Sequence, residues 1–205
     1  MNEPIYRLRS TGQYTKLVLL LFFFLFIVVS LYLDPYSEGF FPPLVFALGG
    51  ILVAYVFFYQ PHVLLTRDGI TAANWFFDRS VSWKDYDQLD MRYGMYIMSE
   101  GGHSDAVSSY PGTGGIAKGR EQLSPSSPLA KTQKQEKYIR IHESGQYNHT
   151  ASQKEASSLI NRMAKEFARD ATYAPRTKTI QPIRVAILLI GASLIALGLT
   201  GTVNG

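Results

Sequence analysis

The stretch LVLLLFFFLFIVVSLYL, Leu17–Leu33, runs for seventeen residues without a charge. At about 1.5 Å of rise per residue, a helix of that length spans roughly 25 Å, just enough for a bilayer's hydrocarbon core. Arg7, Arg9 and Lys16 precede it, giving the outline of a secretory signal peptide, basic first and apolar after. No small-residue cleavage site follows, however, and a second apolar run begins only six residues later. We therefore read a retained membrane helix.

That second run, Phe40–Tyr59, FFPPLVFALGGILVAYVFFY, is twenty residues long. Pro42 and Pro43 fall in its first turn, where a missing N–H costs little. The linker Asp34–Gly39 is short enough to fold the two helices into an antiparallel hairpin. Near the C-terminus, Val185–Leu199, VAILLIGASLIALGL, is apolar all round and predicts a third span, with Arg184 reaching for the interface. Small residues recur at helix-packing spacing, Gly50 with Ala54 and Ala192 with Ala196, beside Gly191 and Gly198, which points to close helix–helix contact. No ionisable residue lies within the three apolar runs, so nothing in them marks an ion or proton path. The basic flanks stand before the first span and, as Arg176, Lys178 and Arg184, before the third. The hairpin linker and the tail carry none. Positive charge on one side predicts a cytoplasmic N-terminus and middle region and an outward C-terminus.

The middle region changes character. Residues 62 to 99 alternate in short runs broken at Arg67-Asp68-Gly69 and Asp78-Arg79-Ser80, the pattern of an antiparallel meander with one apolar face. From Gly101 to Glu136 the chain is rich in Gly, Ser, Pro and Lys, and predicts a flexible insertion. Beyond it, KYIRIHE (Lys137–Glu143) alternates again and YNHT reads as a short return strand. Met95–Met98 and Tyr138–His142 are expected to pair across the insertion. Ser152-Gln153-Lys154-Glu155 then fits a capping box, followed by Ala156, Leu159, Ile160, Met163, Ala164 and Phe167 in one helical stripe. Strands first and an amphipathic helix after make an α+β domain, with that stripe against the apolar sheet face. The organisation expected is residues 1–60 for the N-terminal segment and helical hairpin, 61–174 for the domain with insertion 101–136, and 175–205 for a linker and the last span.

VLLTRDGIT (Val63–Thr71), SVSWKDYDQLDM (Ser80–Met91), YIRIH (Tyr138–His142) and the closing EASSLINRMAKEFA (Glu155–Ala168) together resemble a bacterial pleckstrin-homology-like (PH-like) domain, over roughly residues 62 to 170. Families of this type often carry the domain on a pair of N-terminal membrane helices. The resemblance implies a bent antiparallel barrel of about seven strands capped by the C-terminal helix, in a multi-pass protein of the bacterial inner membrane. It implies protein or lipid contact and no catalysis. Val81 and Trp83 would point inward, with Lys84-Asp85 at a strand bend.

Chemistry finds little foothold. With no cysteine there is no disulfide, thiolate metal site or cysteine nucleophile. The four histidines lack metal-ligand spacing, and a net charge of +4 is too slight for a nucleic-acid partner. Asp85, Asp87 and Asp90 break the calcium-loop pattern and read as solvated edge carboxylates. GTGGIAKG (Gly112–Gly119) departs from a phosphate loop at Ala117 and Gly119, and no G-x-S-x-G elbow occurs. No cofactor is expected. What remains is a non-catalytic, membrane-anchored interaction or scaffold protein that presents its domain to a protein partner. The alternatives are an immunity protein neutralising a secreted toxin, or a lipid-surface-binding module. The residues expected to touch membrane surface or partner are Arg7, Arg9, Lys118, Arg120, Lys131 and Lys134.

Overall fold

A computed structural model describes residues 5–33, 41–112 and 148–203. The chain divides into two compact units, one of residues 1–10, 62–74 and 78–178, the other of 11–61, 75–77 and 179–205.

The second unit is helical. Three helices, α1 (Thr11–Leu33), α2 (Phe41–Ala54, continued by a π-helical turn, Tyr55–Tyr59) and α4 (Pro182–Val203), are long and apolar enough to cross a membrane, over Thr11–Ser30, Phe41–Tyr59 and Pro182–Thr200. These match the three apolar runs. Of the small residues expected at helix contacts, Gly50, Gly191 and Gly198 make close approaches and Ala54 is buried, with Gly49 joining them. A Cβ on Gly49 would stand 2.6 Å from the Gly191 carbonyl oxygen, and one on Gly198 would stand 2.7 Å from Phe46. A Cβ on Gly50 would collide with the Phe24 ring, so α1 seats an aromatic against α2 where side-chain bulk is missing. Ala192 and Ala196 face outward. Arg184 lies in the first turn of α4, where it is largely buried.

The other unit holds two open sheets and a helix. One sheet has the order β8-β1-β2-β3-β4-β9, the other β5-β6-β7. Their strands are β1 (Tyr6–Ser10), β2 (His62–Leu65), β3 (Gly69–Ala73), β4 (Phe77–Ser82), β5 (Tyr86–Asp90), β6 (Gly94–Ser99), β7 (Ser104–Pro111), β8 (Asn148–Ala151) and β9 (Thr177–Ile180). The helix, α3 (Gln153–Phe167), begins at the predicted capping box: Ser152 Oγ accepts from the Glu155 amide and the Glu155 carboxylate accepts from the Ser152 amide. Its stripe, Ala156, Leu159, Ile160, Met163 and Ala164, is buried in one core with Leu8, Val63, Ile70, Val81, Trp83, Ile97 and Val107, as an α+β domain requires. Phe167 is only half-buried. Helix plus sheet is therefore the architecture, and among the described residues the two sheets are open.

Three sequence expectations are corrected here. Tyr6–Ser10, taken as a basic membrane flank, is a strand, antiparallel to β2 (Leu8 opposite Val63) and parallel to β8 (Leu8 opposite His149). Tyr6 and Leu8 alternate into the core, which the neighbouring arginines disguise. The insertion 101–136 begins too early, because Ser104–Pro111 forms β7. Finally, β6 does not pair with Tyr138–His142: both its edges are occupied, by β5 and β7. Residues 138–142 themselves lie outside the described residues.

Beyond its pairing with β6, β7 contacts β1, β2 and β3, bringing the two sheets together. Asn74, just past β3, fastens the crossing. Its Nδ2 donates to the Ala106 carbonyl at 2.9 Å and its Oδ1 accepts from the Ser108 amide at 2.7 Å, satisfying two backbone groups of β7.

Candidate interaction surface

VSW, Val81-Ser82-Trp83, shapes the surface feature with the clearest chemistry. In the turn Thr66-Arg67-Asp68-Gly69, Thr66 donates its amide and its hydroxyl to the Gly69 carbonyl, at 2.9 and 3.0 Å, and its hydroxyl oxygen accepts from the Gly69 amide at 3.1 Å. A side chain at Gly69 would run into the Val81 carbonyl, so the close approach of the two strands needs glycine there. Trp83, buried in the core, then fixes the turn twice. Its amide donates to the Asp68 carbonyl at 3.0 Å and its indole to the Thr66 carbonyl at 2.9 Å. Val81 and Trp83 are buried and a turn falls at Lys84-Asp85, the placements that the resemblance implies.

The turn so held is one lip of a groove of about 640 Å³ lined by Ile5, Arg67, Asp68, Glu166, Phe167, Asp170 and Thr172. The opposite lip is the end of α3 and the turn after it. There the Asp170 and Ala171 amides both donate to the Phe167 carbonyl, and buried Ala171 pins the exit. Ile5 is anchored by its amide to the Leu65 carbonyl at 2.8 Å. One guanidinium thus shares the groove with three carboxylates, over an apolar patch of Ile5 and Phe167. Such a lining favours a cationic, partly apolar ligand and opposes an anionic one. Close by, burial pushes the Tyr6 phenol above its ordinary range. Arg162 partly offsets this and Glu166 adds to it.

The predicted contact residues do not gather at this groove. Arg7 and Arg9 sit on β1, and Arg7 Nη2 donates to His62 Nδ1 at 3.3 Å, a contact between neighbouring strands. Lys118, Arg120, Lys131 and Lys134 lie outside the described residues. Asp85, Asp87 and Asp90 are not brought together as a metal site: among the described residues no three His, Cys, Asp or Glu groups are placed to share an ion. Asp90 instead clamps Arg92, at 3.1 Å to Nε and 2.9 Å to Nη2.

Asp105, which falls within the expected insertion 101–136, centres an ionic cluster of the scaffold. Asp105 on β7 is 1% exposed and takes Arg79 of β4 on Oδ1 and Arg176 on both oxygens, with Arg176 Nε at 2.6 Å. The hydrogen bond it donates to Asp105 holds the Arg176 guanidinium still more firmly protonated than usual.

Comparison of the chain with protein families, with curated proteins and with solved structures finds no match.

Proposed function

We propose that the chain is a non-catalytic binding module held in a bacterial inner membrane by three spans, with a PH-like domain on the cytoplasmic side that receives a basic segment of a protein partner. The observation that carries the binding role is the acidic, apolar-floored groove between the Thr66–Gly69 turn and the end of α3. Four strands in meander order (β1 to β4), three more (β5 to β7) and a closing helix support the PH-like reading. The hairpin reading of α1 and α2 has support of its own. Residues 6–10 before α1 pair with residues 62–65 after α2, so an even number of membrane crossings separates them. The third helix then carries the tail to the opposite side, in keeping with the distribution of basic residues.

A lipid headgroup is the less favoured occupant, because three carboxylates repel a phosphate that a single arginine attracts. The test uses the full chain in nanodiscs of neutral lipid and a synthetic lysine-rich peptide as probe. At low salt the peptide binds, and Glu166→Lys with Asp170→Lys weakens it by about tenfold, close to 1.4 kcal/mol for two rim charges. An acidic peptide should show the reverse preference. Equal binding of both peptides to both proteins would remove the groove from the proposal.

A further inference from the structure

We infer that the β3–β4 turn, Trp75-Phe76, is a lipid-facing anchor seated in the headgroup region of the same bilayer that the three helices cross. The inference rests on the membrane reading above and adds a second kind of attachment to it. Trp75–Phe77 belongs to the helical unit rather than to the sheets from which it is extended. Its ring lies against Phe57 in the final turn of α2, with centroids 5.0 Å apart, and its indole Nε1 donates to the Phe57 carbonyl at 3.2 Å. Phe76 meets Phe57 edge-on at 6.5 Å, and its carbonyl accepts from the amide of Gln181, the residue before α4 begins. The turn is thereby fixed to the end of one membrane helix and the start of another, both on one side.

That position sets its depth. A segment tied to the first and last turns of spanning helices lies at the water–hydrocarbon boundary, where Trp and Tyr rings concentrate. Its chemistry suits the place. Trp75 is 36% exposed and Phe76 41%, with Tyr55 and Tyr59 stacked 5.2 Å apart along the same final turn. In water these rings would leave an uncovered aromatic collar. Because the indole N–H is already hydrogen-bonded, the ring enters a less polar medium with its donor satisfied.

The chain's two tryptophans make the test direct, since the other, Trp83, is buried in the domain core. The full chain is reconstituted in phosphatidylcholine vesicles, as wild type and as Trp83→Phe, with lipids brominated near either the headgroup end or the methyl end of the acyl chain. Trp75 emission should be blue-shifted, resist aqueous iodide, and fall by about half with the shallow bromine and less with the deep one. Trp75→Phe should lose the lipid-quenched component. Because wild type alone reports the effect, a poorly folded variant does not spoil the test. Iodide quenching with no response to either brominated lipid, in protein that alkaline carbonate fails to extract, would overturn the inference and leave the membrane reading standing. Release of the protein by carbonate would overturn both.

Discussion

Asp105, Tyr86 and Tyr110 pose three different problems of burial, and each has a distinct consequence. Asp105 is stable inside because Arg79 and Arg176 supply both charge and donors. Asp105→Asn leaves two guanidiniums facing each other across a neutral amide. The expected cost is about 3 kcal/mol, at the lower end for a broken buried pair because both arginines retain some contact with water. Chemical unfolding of the detergent-solubilised chain measures this, and an unchanged midpoint would deny the cluster its role. Tyr86 donates to Asn161 Oδ1 at 2.6 Å, whereas the Tyr110 hydroxyl is buried with no hydrogen-bond partner among the described residues. Tyr86→Phe should therefore destabilise by about 1 kcal/mol, while Tyr110→Phe should be neutral or stabilise by up to about 1 kcal/mol. Burial, reinforced by Asp87, pushes the Tyr86 phenol up to about 12, and burial with Glu155 raises Tyr110 further. Both shifts favour the neutral form in the folded chain. Their stabilisation is complete below the unfolded value near 10 and is lost as pH climbs through the folded value near 12. Ultraviolet titration should show a tyrosine fraction that ionises only as the domain unfolds; full ionisation of a still-folded chain near pH 10 would contradict this.

The elements differ in how openly the sequence declares them, and the difference has a physical cause. The spans and α3 satisfy themselves locally, through apolar length in one case and a cap plus a period-3.6 stripe in the other. Both are legible without knowing any partner. β1 is only YRLRS beside a membrane helix, and its partners in β2 and β8 lie about 55 and 140 residues away. β7 was hidden for another reason. Its inward residues Asp105, Val107 and Ser109 are mostly small or polar, tolerated because β4 and the chain before β9 bring arginines to meet the acid. The groove was half legible: the T-R-D-G turn stands out, but nothing in Glu166 or Asp170 marks them as its opposite lip. Among the helices, the glycine contacts make a sharp distinction between neighbours. Gly191→Leu would drive a side chain into Val53 and the Gly49 carbonyl, while Ala192→Leu points outward. The first should lower the melting temperature in detergent by several degrees and the second should leave it within error. Equal effects would show that α2 and α4 do not approach through these residues.

As a whole the chain interleaves its two units. The first strand of the domain precedes the helical hairpin, the remaining strands and α3 follow it, and the last helix closes the order. That order constrains topology more tightly than charge alone, because β1 and β2 must share a compartment if they are to pair. The absence of cysteine makes the arrangement easy to interrogate, since any introduced thiol is the sole label. Single cysteines at Asp87, exposed on β5, and at Gly205 are treated with a membrane-impermeant maleimide in intact spheroplasts, then after membrane disruption. The chain described here predicts that position 205 labels from outside, whereas position 87 labels only after disruption. Labelling of position 87 in intact spheroplasts would contradict it.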